Sequence, residues 1–200
     1  MSTTTDWLNE ERQELAVERI LEAAREVFVH DGIPGARMGN VAKAAGCSRA
    51  TLYRYFPNKE ALLHAYMVRV AKEFGGVLDQ KLRRLSTLGG RLVEAVAVSV
   101  ELIQEREDLA PFFSEEGLGL TAQLTSTATA MREQLARQVA RESSSARIQG
   151  KLRAGVSADE AAEWLTRAIF SFSVLPVEAR SGAALRKYLK KMLLPALVPA

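Results

Sequence analysis

Apolar residues recur along this chain at three- and four-residue spacing almost from end to end, the period of helices that each bury one face. Val17, Ile20, Leu21, Ala24, Val27 and Phe28 trace the first stripe and predict a helix from about Asp6 to His30, with Gly32 as its stop signal and Ile33-Pro34-Gly35 as a loop. A second helix is expected from Arg37 or Met38 to Ala45, a third from Arg49 to Tyr55, and a fourth from Asn58 to about Leu85 along Leu62, Leu63, Tyr66, Met67, Val70 and Phe74. Gly75-Gly76 interrupts that stripe at about 1 kcal/mol per glycine relative to alanine, marking a kink or a close helix crossing, with packing the preferred explanation.

After the linker Ser86-Thr87-Leu88-Gly89-Gly90, helices are expected over Arg91–Glu107, Asp108–Phe113 and Thr121–Glu142, with Gly117-Leu118-Gly119 as a loop. Ser157 followed by Glu160 has the spacing of a capping box and opens a helix running to about Val174, before Pro176. Trp164, Phe170 and Val174 lie off its main apolar face, so it must be buried on more than one side. Ser181 is placed to cap a last helix carrying Leu185, Leu189, Met192 and Leu193. No strand pattern of useful length and no internal repeat occurs. The expected fold is all-α: an N-terminal three-helix domain over 1–57, a connecting helix over 58–85 and a larger helical domain over 86–200.

The stretch from Val41 to Leu63 departs from this uniformity. Gly46 supplies the left-handed backbone that ends a helix, and Ser48 stands as N-cap of the next. In that next helix Leu52 and Phe56 point inward with Cys47, while Arg49, Thr51, Tyr53 and Arg54 are left to solvent. Pro57 stops the helix and Asn58 can cap the following one. Two short helices about a tight turn, the second polar and basic, make a helix-turn-helix fit for a DNA major groove.

Charge sharpens that reading. The whole chain is only +3 at neutral pH, yet Gly35 to Lys72 carries seven basic residues and the single acid Glu60. A basic segment centred on a helix-turn-helix suits a polyanion better than a merely solvated face. At 48% hydrophobic and 26% charged residues, the rest is ordinary globular material. No apolar run approaches the ~20 residues of a membrane span, the acidic N-terminal stretch lacks a signal-peptide core, and a cytoplasmic protein without a membrane partner is expected. One cysteine, Cys47, excludes an intramolecular disulfide and a cysteine metal cluster.

The run AKAAGCSRATLYRYFPNKEALL resembles the DNA-binding signature of the TetR/AcrR family of transcriptional regulators, over roughly Glu18 to Val70. The resemblance implies a homodimeric, all-helical repressor whose C-terminal domain binds a small molecule and whose last two long helices pair with those of a second subunit. Two departures stand out. The family usually places Ser or Thr at the start of the second helix, where this chain has Arg37-Met38. Gly39 occupies a position that in some members carries a base-reading arginine.

From the chemistry of the exposed face, Arg49 is the first candidate for a base contact, because arginine can bind guanine O6 and N7 together. Arg54 is a candidate for a phosphate. Ser48, Thr51, Tyr53, Tyr55, Lys59 and Arg37 are assigned to phosphate or sugar, with Tyr53 also a candidate for a thymine methyl. One of the two tyrosines is expected to be structural.

Phe112, Phe113, Met131, Leu135, Trp164 and Phe170 are the candidates for an effector pocket, each equally at home in a core, and their character points to a lipid-like or aromatic effector. No cofactor, metal site or catalytic constellation is expected. His30 and His64 lack ligand partners at helical spacing, no phosphate loop is present, and Glu115-Glu116 sits beside glycines. The leading expectation is a ligand-responsive, DNA-binding repressor. The alternatives are an architectural module, or a helical small-molecule-binding protein or enzyme in which the helix-turn-helix is secondary.

Overall fold

The computed structural model describes residues 4–113, 125–175 and 182–199. The elements expected at Gly117–Gly119 and Glu115-Glu116, the start of the helix at Thr121, Pro176 and the Ser181 cap lie outside the described residues. Within them the secondary structure is helical, with one isolated parallel bridge between Thr87 and Gln149. The helices are α1 (Thr4–Gly35), α2 (Met38–Ala44), α3 (Arg49–Tyr55), α4 (Lys59–Leu82), α5 (Leu88–Glu105), α6 (Ala110–Phe113), α7 (Thr125–Ser144), α8 (Ala158–Val174), α9 (Gly182–Met192) and α10 (Leu194–Leu197). The chain divides into two compact units, Met1–Tyr66 with Glu107–Leu124, and Met67–Arg106 with Thr125–Ala200.

In the first unit, α1 buries Ile20, Leu21, Ala24 and Phe28, the stripe its spacing predicts. Gly32 breaks it with φ 67 and ψ 172, as a stop signal should, but the chain then makes one further helical turn to Gly35. Pro34 fits there because the amide that proline lacks has no partner at the start of a helical turn. α6 packs on α1. Phe28, Tyr66 and Phe112 join as an aromatic cluster, with Phe28 edge-on to both other rings at 5.2 and 5.8 Å and Tyr66 stacked on Phe112 at 5.8 Å. The Tyr66 hydroxyl donates to the buried Asp108 carboxylate, which gives the polar end of this apolar ring its partner.

In the second unit α5 is the central helix. Leu88, Leu92, Val93, Ala95 through Val100 and Ile103 are buried, so it is covered on most sides. It packs against α7, α8, α9 and α10, while α7 and α8 pair with each other. On the α4 side, Leu78 and Leu82 meet Ala95 and Val98.

Two polar devices set the ends of this packing. Ser157 and Glu160 form the reciprocal capping box at the start of α8. Arg186 on α9 grips α5, donating from Nε and Nη2 to the two oxygens of Glu94 at 2.7 Å and from Nη1 to Glu101 at 2.6 Å. Among the described residues no helix is long and apolar enough to cross a membrane.

Candidate nucleic-acid interface

The turn between α2 and α3 is built as its residues dictate. Gly46 takes φ 65. Its amide bonds to Lys43 O at 3.1 Å and the Cys47 amide to Ala42 O at 3.0 Å, the pairing of a Schellman C-terminus. Ser48 then caps α3, its Oγ accepting from the Thr51 amide at 3.0 Å and lying 2.9 Å from Thr51 Oγ1. Leu52 and Phe56 are buried, whereas Cys47 is half-buried beside them in sequence. With its inner face anchored this way, α3 leaves Arg49, Tyr53 and Arg54 exposed.

Within the candidate set the side chains divide by how far they are engaged. The Arg49 guanidinium makes no hydrogen bond or ion pair among the described residues, so its donors are open to a ligand. Arg54 lies over the ring of Tyr55 at 5.2 Å, a cation–π contact that leaves the half-buried Tyr55 partly structural and Tyr53, at 48% exposure, the open one of the two tyrosines. Ser48 and Thr51 serve the cap. Arg37 is the exposed N-cap residue of α2 and forms no side-chain cap bond, consistent with the missing Ser or Thr.

Lys59 turns back toward α1. Its ammonium donates to the carbonyls of Ile33 and Pro34, and burial holds its pKa below the usual lysine value. Asn58 caps α4, its Oδ1 accepting from the Ala61 amide at 2.7 Å.

Two further residues hold α2, and sequence reading did not single them out for that role. Asn40 donates to Asp31 Oδ2 at 2.9 Å, tying α2 to the end of α1. His30 Nδ1 lies 2.7 Å from the other oxygen, and these two neighbours hold the Asp31 carboxyl below its ordinary range, His30 contributing most.

The six candidate effector residues are distributed between the units. Phe112 is packed inside the aromatic cluster of the first unit, where Phe113 is half-buried. Met131 and Leu135 of the second unit line a small apolar cavity with Ala71, Phe74, Gly75, Leu78, Ser99 and Gln134. On α8, Trp164 is 48% exposed and Phe170 half-buried. A Cβ on Gly75 would stand 2.5 Å from Gln134 Nε2, the far end of a flexible side chain on α7, and α4 runs on unbroken through both glycines. Among the described residues no cluster of three or more His, Cys, Asp or Glu could hold a metal.

Residues 20–66 match the model of the "Bacterial regulatory proteins, tetR family". The N-terminal domain is that of a tetR-family regulator. An uncharacterised HTH-type transcriptional regulator of Mycobacterium tuberculosis is 39% identical over 110 residues, 55% of this chain and 54% of the relative. The chain thus spans about half the length of that relative.

Among solved structures, the repressor AlkX of a Dietzia strain, implicated in n-alkane biodegradation, superposes with TM-score 0.64 at 24% identity over 86% of this chain and 92% of its own. FadR of Bacillus subtilis, in complex with stearoyl-CoA, does so with TM-score 0.61 at 19% identity over 90% and 98%. These two likenesses establish the fold, which is all-helical.

Proposed function

We propose that this protein is a cytoplasmic, ligand-responsive transcriptional regulator that binds a near-palindromic operator as a homodimer and is released from it by a hydrophobic effector. One observation carries the DNA-binding half of this reading: α3 presents Arg49, Tyr53 and Arg54 to solvent above a buried Leu52. Arg49 is assigned to a base, Arg54 and Arg37 to phosphates, and Ser48, Thr51, Tyr53 and Tyr55 to positioning on the backbone, while Lys59 serves as a clasp to α1. Dimerisation is assigned to α8 and α9.

The effector half rests on the apolar residues Met131 and Leu135, in the unit that does not contain the helix-turn-helix; the gap they line, about 10 Å³, has room for one water, so an effector must open it to bind. An effector acts only through differential affinity: it must bind the DNA-free conformation more tightly, and DNA must weaken the effector by the same factor. FadR of Bacillus subtilis holds stearoyl-CoA, which makes that compound a reasonable first probe.

The deciding experiment measures binding to the DNA immediately upstream of the protein's own gene, at several salt concentrations with nonspecific competitor. Competitor-resistant binding is expected, released by the effector. Arg49→Ala should lower specific affinity by about 5- to 100-fold and relax selectivity at one base pair, the range of one bidentate arginine–guanine contact. Binding by Arg49→Ala as tight and selective as wild type would remove Arg49 from the reading set. Weak binding by the wild type at every sequence, steep in salt, would favour the architectural alternative.

A further inference from the structure

The second residue of the seven-residue helix α2 is Gly39, which is a poor choice for helix stability. Its φ is not in the left-handed region, so no backbone strain calls for glycine here. What the position lacks is a side chain, and the space that a side chain would fill is occupied. A Cβ built on Gly39 would stand 2.7 Å from Arg49 Nη2, 3.1 Å from Nε and 3.2 Å from Cζ. Three atoms of one planar group at these distances mean that the guanidinium lies across the bare backbone of α2. Arg49 is exposed and makes no hydrogen bond or ion pair among the described residues, so this seat is made by contact alone.

We propose that Gly39 is a specificity-determining residue of the DNA-reading surface: by offering a flat seat on α2, it sets the direction from which Arg49 presents its paired donors to a base edge. This rests on the reading of Arg49 as a base contact and extends it to a residue with no donor or acceptor side chain of its own. Any side chain at position 39 displaces the guanidinium. Because the displaced group is the far end of a flexible side chain, the helix itself need not move, and a substitution alters where Arg49 points and leaves the fold in place. A bidentate contact depends on the orientation of the donor fork as well as on its charge, so redirecting it costs discrimination at one base pair.

The test is a double-mutant cycle on DNA. A preferred site is selected from random-sequence DNA with the wild-type protein. Affinities for that site and for each single-base-pair variant are then measured for wild type, Gly39→Ala, Arg49→Ala and the double variant, with circular dichroism confirming helix content. Gly39→Ala should reduce discrimination about 5- to 10-fold at the base pair that Arg49→Ala also affects, a part of what a full bidentate contact is worth. It should leave the other positions within about 2-fold, inside the usual additivity error, and have no further effect in the Arg49→Ala background.

Additive losses in the double variant, or a uniform loss at every position, would overturn the proposal and make Gly39 a packing residue only. Gly39→Ala indistinguishable from wild type, with Arg49→Ala impaired, would overturn it while leaving Arg49 as a reader. A wild-type protein that selects no sequence would sink the DNA-binding reading itself, and this proposal with it.

Discussion

At the scale of single residues, the division of labour around α3 follows from which side chains already have partners. Arg49 has none among the described residues, whereas Lys59 spends donors on the Ile33 and Pro34 carbonyls at the end of α1. A side chain already holding two backbone acceptors is a weaker candidate for a phosphate. Replacing Lys59 by methionine keeps most of the aliphatic stem and removes the ammonium. It should destabilise the protein by about 1–2 kcal/mol, the scale of a charged hydrogen bond discounted for its partial exposure.

If Lys59 serves mainly as this clasp, the variant loses stability in urea titration while the salt dependence of DNA binding keeps its slope. A slope lower by about one would place Lys59 on a phosphate after all.

What the sequence made legible at this scale were the roles written into local chemistry: the Gly46 turn, the Ser48 and Asn58 caps, buried Leu52. Seats made by absence were not legible. Gly39 under Arg49 and Gly75 under Gln134 are paired with side chains on other helices, and a missing Cβ carries no sequence signal of what fills its place.

At the scale of elements, helix spacing located most helices because one-sided burial imposes a period that single-sequence reading can see. Partnership between helices was harder. α6 lies on α1 through Phe112 and Phe28, and Tyr66 reaches Asp108, contacts between positions far apart in the chain. Phe112 reads equally well as pocket or core until its neighbours are known.

The clamp of Arg186 across Glu94 and Glu101 is of the same kind, since a basic residue on an amphipathic helix ordinarily reads as a solvated face. Its three groups are only about a quarter exposed. Arg186→Ala would therefore leave two carboxylates on α5 without their shared cation, at about 2 kcal/mol, below the cost of breaking a fully buried pair.

This loss has a pH signature. The hydrogen bond from Arg186 holds the Glu94 carboxyl below its ordinary value of 4.5. A depressed carboxylate contributes stability that is present above the unfolded value and lost as pH falls through the folded one. Urea unfolding of wild type and variant should differ most at pH 7, and the gap should narrow below about pH 4.5. Arg186 itself is raised above the arginine range, so it stays charged throughout that window and the change comes from the carboxylate. A gap that does not change with pH would remove Glu94 from the account.

At the scale of the whole molecule, the apolar groups that the chain leaves uncovered bear on assembly. Trp164 on α8 is 48% exposed, Leu175 just beyond α8 is 70% exposed and Met192 at the end of α9 is 55% exposed. Large apolar side chains left exposed on α8, just past it and at the end of α9 are what a self-complementary interface would cover, and a second copy is the occupant our proposed function requires. Trp164→Asp places a charge there without touching the buried face formed by Ala161, Leu165 and Ile169.

The variant should keep the helix content of the wild type but sediment at the mass of one 21.9 kDa chain. Its affinity for an isolated half-site should match that of a wild-type subunit. On the full operator it should be weaker by about 10²- to 10⁴-fold, because the second head no longer arrives as an intramolecular event. A Trp164→Asp protein that still sediments as a dimer would move the interface away from this part of α8. A monomer that binds the full operator as tightly as wild type would mean that one reading head suffices and that the symmetric operator belongs to a different mechanism.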